Sequence, residues 1–85
     1  MIEVKSWPSG VVRFADGILE MTSNDLRVHP RDIELLTIKP PKMGRVSIEV
    51  RYRAGLNTNT TSAWVDAGEE PRAEELVAAV QAARG

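Results

Sequence analysis

The sequence predicts a mostly β domain of seven antiparallel strands closed by one C-terminal α-helix. Three observations predict it. Apolar and polar residues alternate through most of the first 65 positions, and turn residues interrupt them at short intervals. The last 17 or so positions change to helical spacing, with Ala73, Leu76, Val77 and Val80 at i, i+3, i+4 and i+7. The length of 85 residues admits a single domain over 1–85, with strands over about 2–65 and the helix over about 70–84.

The elements follow in order. Ile2 and Val4 alternate with Glu3 and Lys5, the period of a first strand. Trp7-Pro8-Ser9-Gly10 ends it with turn chemistry, since Pro presets φ and Gly permits a positive one. Val11 to Ala15 is the second strand, and Ile18 to Thr22 the third, with Leu19 and Met21 directed inward. Between them stands Asp16-Gly17, a strong short hairpin signal. Ser23-Asn24-Asp25 is a turn, and Leu26 to Val28 is a short fourth strand stopped by Pro30.

Ile33 to Lys39 is the fifth and most apolar strand. Its Ile33, Leu35, Leu36 and Ile38 exceed what one face can bury, so either Leu35 or Leu36 is expected to be less buried than the rest. Pro40-Pro41-Lys42-Met43-Gly44 is expected to break it. Strand six has the cleanest alternation: Val46, Ile48, Val50 and Tyr52 on one face, Ser47, Glu49, Arg51 and Arg53 on the other. That pattern means an antiparallel strand with one wet side. Gly55 to Asn59 reads as a polar loop and Thr60 to Val65 as strand seven. Pro71 suits the first helical position, where its missing N–H costs nothing. Glu69, Glu70, Glu74 and Glu75 suit the positive end of the helix dipole, Arg84 the negative end, and Gly85 could close the helix.

Composition excludes several function classes. Eleven basic residues face twelve acidic ones, for a net charge of −1, so bulk attraction to a phosphate backbone is absent and nucleic acid is not the expected partner. No cysteine is present, which removes disulfides, thiolate catalysis and Cys-based metal sites. One histidine cannot build a multi-His metal site. His29 has no Gly-x-Ser-x-Gly elbow to serve and reads as an exposed turn residue. Neither Gly-rich phosphate-loop pattern occurs. No catalytic residue, metal or cofactor is therefore expected. The start of the chain lacks the apolar run of a signal peptide, and no stretch approaches the roughly 18 apolar residues of a membrane span. A cytoplasmic location is the expectation.

Beyond composition, four stretches carry a resemblance. Val12-Arg13-Phe14-Ala15-Asp16-Gly17-Ile18-Leu19-Glu20-Met21 resembles the "F-x-G-x-L-x-I" hairpin of small bacterial pleckstrin-homology (PH)-like domains. His29 to Leu36 resembles their "I-P-x-x-I-x-x-V" strand, Gly44 to Ile48 the "G-x-L-x-I" strand that follows, and Glu74 to Val80 their terminal helix. Together these cover nearly the whole chain, although they are core and turn patterns that specify fold and not ligand. The resemblance implies a partly open barrel of two bent sheets capped by the helix. It implies a binding module for phosphoinositides, peptides or proteins. The lipid-binding members carry a basic cluster across the first hairpin, where this chain offers only Lys5 and Arg13. That departure argues against inositol phosphate recognition.

The expected function is thus a non-enzymatic binding module of bacterial PH-like type. A protein–protein adaptor or assembly element, with a protein partner or self-association, stands first. A peripheral module for anionic membranes stands second. Candidate contact residues are Trp7 in the first hairpin turn, with Lys5 and Arg13 beside it. Leu56 is an apolar residue in the polar loop, a loop that the resemblance places at the same end as Trp7. Arg51 and Arg53 are on the wet face of strand six, with Lys42 and Arg45 before them. Trp64, next to the helix, reads as a structural residue.

Overall fold

A computed structural model describes residues 1–84 of the chain. The expected closure of the helix by Gly85 lies outside the described residues. Seven strands run in chain order, β1 (Ile2–Lys5), β2 (Val11–Ala15), β3 (Ile18–Met21), β4 (Leu26–Val28), β5 (Ile33–Lys42), β6 (Arg45–Ala54) and β7 (Asn57–Asp66), before the helix α1 (Glu70–Arg84). They form two antiparallel sheets, β1-β2-β3-β4 and β5-β6-β7, which do not close into a continuous barrel. A single backbone bridge, Trp7 to Trp64, joins the β1–β2 connection to β7.

The first sheet follows its sequence pattern. Asp16 and Gly17 both take positive φ, 54° and 76°, as a two-residue type I′ hairpin needs. Met21 ends β3, and Thr22–Asn24 turn as a short 3₁₀ segment with Asp25 left-handed at φ 52°. Pro30–Asp32 is a second 3₁₀ turn, which hands β4 over to the other sheet.

The second sheet runs longer than its pattern suggests, because turn-like residues are absorbed into strands. β5 passes through Pro40 and Pro41 to Lys42. It can do so because β5 is an edge strand and the register slips between Lys39 and Lys42, so the prolines sit in a bulge where no ladder N–H is required. The loop expected at Gly55–Asn59 is instead a two-residue turn. Gly55 alone takes a positive φ, 64°, and Asn57 already pairs with Ala54. β7 therefore begins at Asn57, three residues earlier than alternation alone indicated. Asn and Thr carry no apolar period, so the extension left no trace in the hydrophobic pattern.

The core lies between the sheets and under the helix. Val4, Val12, Leu19 and Met21 face Val46, Ile48, Val50 and Val65. Ala73, Leu76 and Val80 of α1 are fully buried against them, and each of the two larger side chains contributes about 1.5–3 kcal/mol by leaving water. The surplus on β5 resolves as expected, with Leu36 3 % exposed and Leu35 37 %.

Helix α1 packs on β1, β2 and β5, and so spans both sheets. Its polar side chains serve the strand edges. Arg72 Nε donates to the Glu3 carbonyl at 3.2 Å, Gln81 Nε2 to the Leu36 carbonyl at 3.2 Å, and Arg84 Nη2 to the Glu34 carbonyl at 3.5 Å. Carbonyls on β1 and β5 that would otherwise stand open at an edge are satisfied in this way.

Candidate functional site

The site is built where the tip of the β5–β6 hairpin meets the β1–β2 connection. The Ser6 N–H donates to the Gly10 carbonyl at 3.0 Å, and Ser6 Oγ to the Ser9 carbonyl at 2.7 Å, so Ser6 closes the turn from inside. The turn presents Trp7, whose peptide bond to Pro8 is cis. The Trp7 N–H donates to the Trp64 carbonyl at 2.7 Å, which fixes the two tryptophans as neighbours across the sheet boundary.

Trp64 points outward for a simple reason. Ala63 and Val65 on either side take the core positions of β7, and strand alternation sends the residue between them to the other face. Arg45 shares that outer face, two pairs further along the β6–β7 ladder. Its guanidinium lies 3.8 Å from the centre of the Trp7 ring, a cation–π stack. Asp66 Oδ1 stands 4.0 Å from Arg45 Nε, too long for a hydrogen bond, and that buried nitrogen has no hydrogen-bond partner among the described residues.

Met43 completes the site. It occupies the first position of a Met43-Gly44 turn and takes a left-handed φ of 54°. A side chain there costs about 1–2 kcal/mol. The Ala67 N–H donates to the Gly44 carbonyl at 2.9 Å and ties the turn to the segment after β7. Met43 is 89 % exposed, Trp7 50 % and Trp64 41 %. Together with Lys42 and Arg45 they line a shallow cleft of about 210 Å³. Three large apolar side chains held in water side by side, one of them in a disfavoured backbone conformation, cost stability, and such an arrangement points to contact with something else.

The other residues singled out in the sequence lie elsewhere. Lys5 is exposed near Trp7 in sequence but does not line the cleft. Arg13 is on the four-stranded sheet, held between Glu20 at 3.2 Å and Glu3 at 3.5 Å, so its charge is engaged. Arg51 and Arg53 are exposed on the same outer face as Arg45, roughly 20 Å and more along the strand from it. Arg53 Nη2 donates to the Arg31 carbonyl at 3.2 Å. Leu56 is fully exposed at the β6–β7 turn, the opposite end of the hairpin from Trp64, and not beside Trp7.

Sequence reasoning grouped Lys42 and Arg45 with Arg51 and Arg53, and missed Met43 and Trp64 as their neighbours. The signals were present. Ala63 and Val65 flank Trp64, and a Met-Gly turn stands where Asn-Gly or Asp-Gly is the favoured pair.

Two further clefts adjoin His29. One of about 310 Å³ is lined by Ile18, Arg27, Val28 and His29, and one of about 280 Å³ by Gly17, His29, Pro30, Arg31 and Ala83. Neither lining contains a carboxylate or hydroxyl to exchange a proton with His29. Among the described residues no group of three or more His, Asp or Glu side chains is placed to hold a metal, and no helix is long and apolar enough to cross a membrane. Comparison with protein-family models, with curated proteins and with solved structures returns no match.

Proposed function

We propose that the chain is a non-enzymatic PH-like binding module that docks a protein partner on the cleft of Trp7, Met43, Arg45 and Trp64. One observation carries this reading: two half-exposed indoles and a fully presented methionine surround an arginine stacked on one of them. Trp and Arg dominate protein-interface hot spots, and Met is enriched there. Four plus three antiparallel strands followed by one helix support the PH-like part of the reading.

A second reading is a peripheral module for anionic membranes. Met43 at a hairpin tip between two indoles, with Lys42 beside it, favours this one, because indoles are stable at the headgroup level. Asp66, the last residue of β7, and Glu69, just after it, stand close to the same tip and oppose an anionic surface.

The test uses a photo-crosslinker at position 43, carried by the full chain in extract of its source cell, beside co-sedimentation with neutral and anionic vesicles at physiological salt. A protein adduct that disappears when Trp64→Ala is added to the crosslinking chain supports the adaptor reading. Vesicle binding that needs anionic lipid and falls with Trp64→Ala replaces it with the membrane reading. Absence of both removes the cleft as a docking surface.

A further inference from the structure

We infer that the outer edge of β7 at Thr58 and Thr60 is a strand-pairing surface for a second copy of this chain. Exposed sheet edges invite pairing, and proteins ordinarily cover or blunt them. Every other edge here is managed. β1 is covered by α1, with the Glu3 carbonyl taken by Arg72. β4 is only three residues long. β5 gives its Glu34 and Leu36 carbonyls to Arg84 and Gln81, and further along it carries Pro40 and Pro41 in a bulge. β7 itself is covered over part of its length, where the Trp64 carbonyl accepts from Trp7 and the Ser62 carbonyl from Asn24.

Those two bonds also fix which backbone groups face outward. Residues 62 and 64 point their carbonyls away from β6. Backbone direction alternates with period two, so Thr58 and Thr60 direct both N–H and C=O to the same open side. Among the described residues nothing bonds to these four groups, and the whole segment from Asn57 to Thr60 is exposed. It contains no charge, proline or bulge.

The segment is suited to pairing with itself. Thr58-Asn59-Thr60 reads the same in both directions. A twofold axis through Asn59 sets each Thr58 opposite Thr60 of the second copy, and these two pairs exchange four backbone hydrogen bonds. Thr–Thr neighbours across strands are favourable. The ladder ends at Ser62, where Asn24 already occupies the carbonyl, and there the fully exposed Leu56 of one copy comes opposite Ser62 of the other. The result is one six-stranded sheet with isologous symmetry. Arg51 and Arg53 of the two β6 strands stay three strand spacings apart, about 14 Å, where physiological salt screens them. This surface is at the opposite end of β7 from the tryptophan cleft, so its test and that of the proposed function fail separately.

Four solvent-replaced hydrogen bonds give a weak pair, expected to form at protein concentrations on the order of 0.1–1 mM. The experiment is sedimentation velocity with amide hydrogen exchange, each across that range. Wild type is expected to shift toward dimer and to gain protection at the Thr58 and Thr60 amides. Thr60→Pro removes an outward N–H that β6 does not use, so it should keep the fold and lose the dimer. Asn59→Lys sets like charges face to face across the axis without touching the backbone, and should weaken association at least tenfold should the proline variant not fold. A wild-type chain that remains monomeric to 1 mM overturns the inference, even if a foreign peptide pairs with this edge. So does a variant that folds and dimerises as wild type does.

Discussion

The guanidinium of Arg45 lies 3.8 Å above the centre of the Trp7 indole, while its Nε is buried without a hydrogen-bond partner among the described residues. Arg45 thus holds Trp7 by its planar face and not by a network of donors. Arg45→Ala should cost about 0.5–1 kcal/mol and shift tryptophan emission to the red, because Trp7 is released into water. Arg45→Lys should restore less than half of that stability, since an ammonium cannot stack. Urea titration followed by fluorescence measures both.

Met43 makes an opposite demand. Its left-handed φ of 54° suits Asn far better than Met. Met43→Asn should raise stability by about 1 kcal/mol, a Tm increase of about 4–8 °C for a domain of this size, while reducing partner capture at the cleft. A calorimetric scan that shows no increase would remove strain as a reason to single out Met43.

Gly10 should be the least replaceable of the turn glycines. A Cβ there would stand 2.9 Å from the Ser23 backbone nitrogen and 2.9 Å from Thr22 Oγ1, at a φ of 85°, whereas a Cβ at Gly17 meets nothing within 4 Å. Gly17→Ala should cost about 1–2 kcal/mol from its positive φ alone. Gly10→Ala adds a collision with backbone and should cost more. Equal denaturation midpoints for the two variants would contradict the packing described around Ser6–Gly10.

Arg13 should matter little to binding. It bridges Glu3 and Glu20, and Arg27 reaches the same Glu20 at 3.4 Å. Arg13→Met should cost less than about 1 kcal/mol, and less still at 1 M salt. It should leave capture at the cleft unchanged, and a drop in capture would bring the four-stranded sheet into the site.

The fold was legible wherever burial imposed a period. Val46, Ile48 and Val50 alternate because one side of β6 is the core, and Ala73, Leu76 and Val80 recur because one stripe of α1 is. The prolines of β5 and the Asn57–Asn59 extension were not legible, because both depend on the neighbouring strand and on edge position, which no local pattern records. The site was legible only in part. Trp7 stood out as an aromatic in a turn, but its meeting with Trp64 across 57 positions of chain rests on one backbone bond between sheets. Arg13 looked free because its partners Glu3 and Glu20 come from adjacent strands.

The three helix side chains that seal the edges of β1 and β5 also set an order of assembly. Arg72, Gln81 and Arg84 belong to α1, which follows every strand in the chain, so the caps are in place only once α1 has docked. Until then the β1 and β5 edges are open to neighbouring chains, and the seats of Leu76 and Val80 in the core stand empty. A chain interrupted just before Gln81 would keep every strand and lose the guard on its longest apolar edge, so loss of the end of α1 should send this protein into aggregates more readily than into soluble fragments.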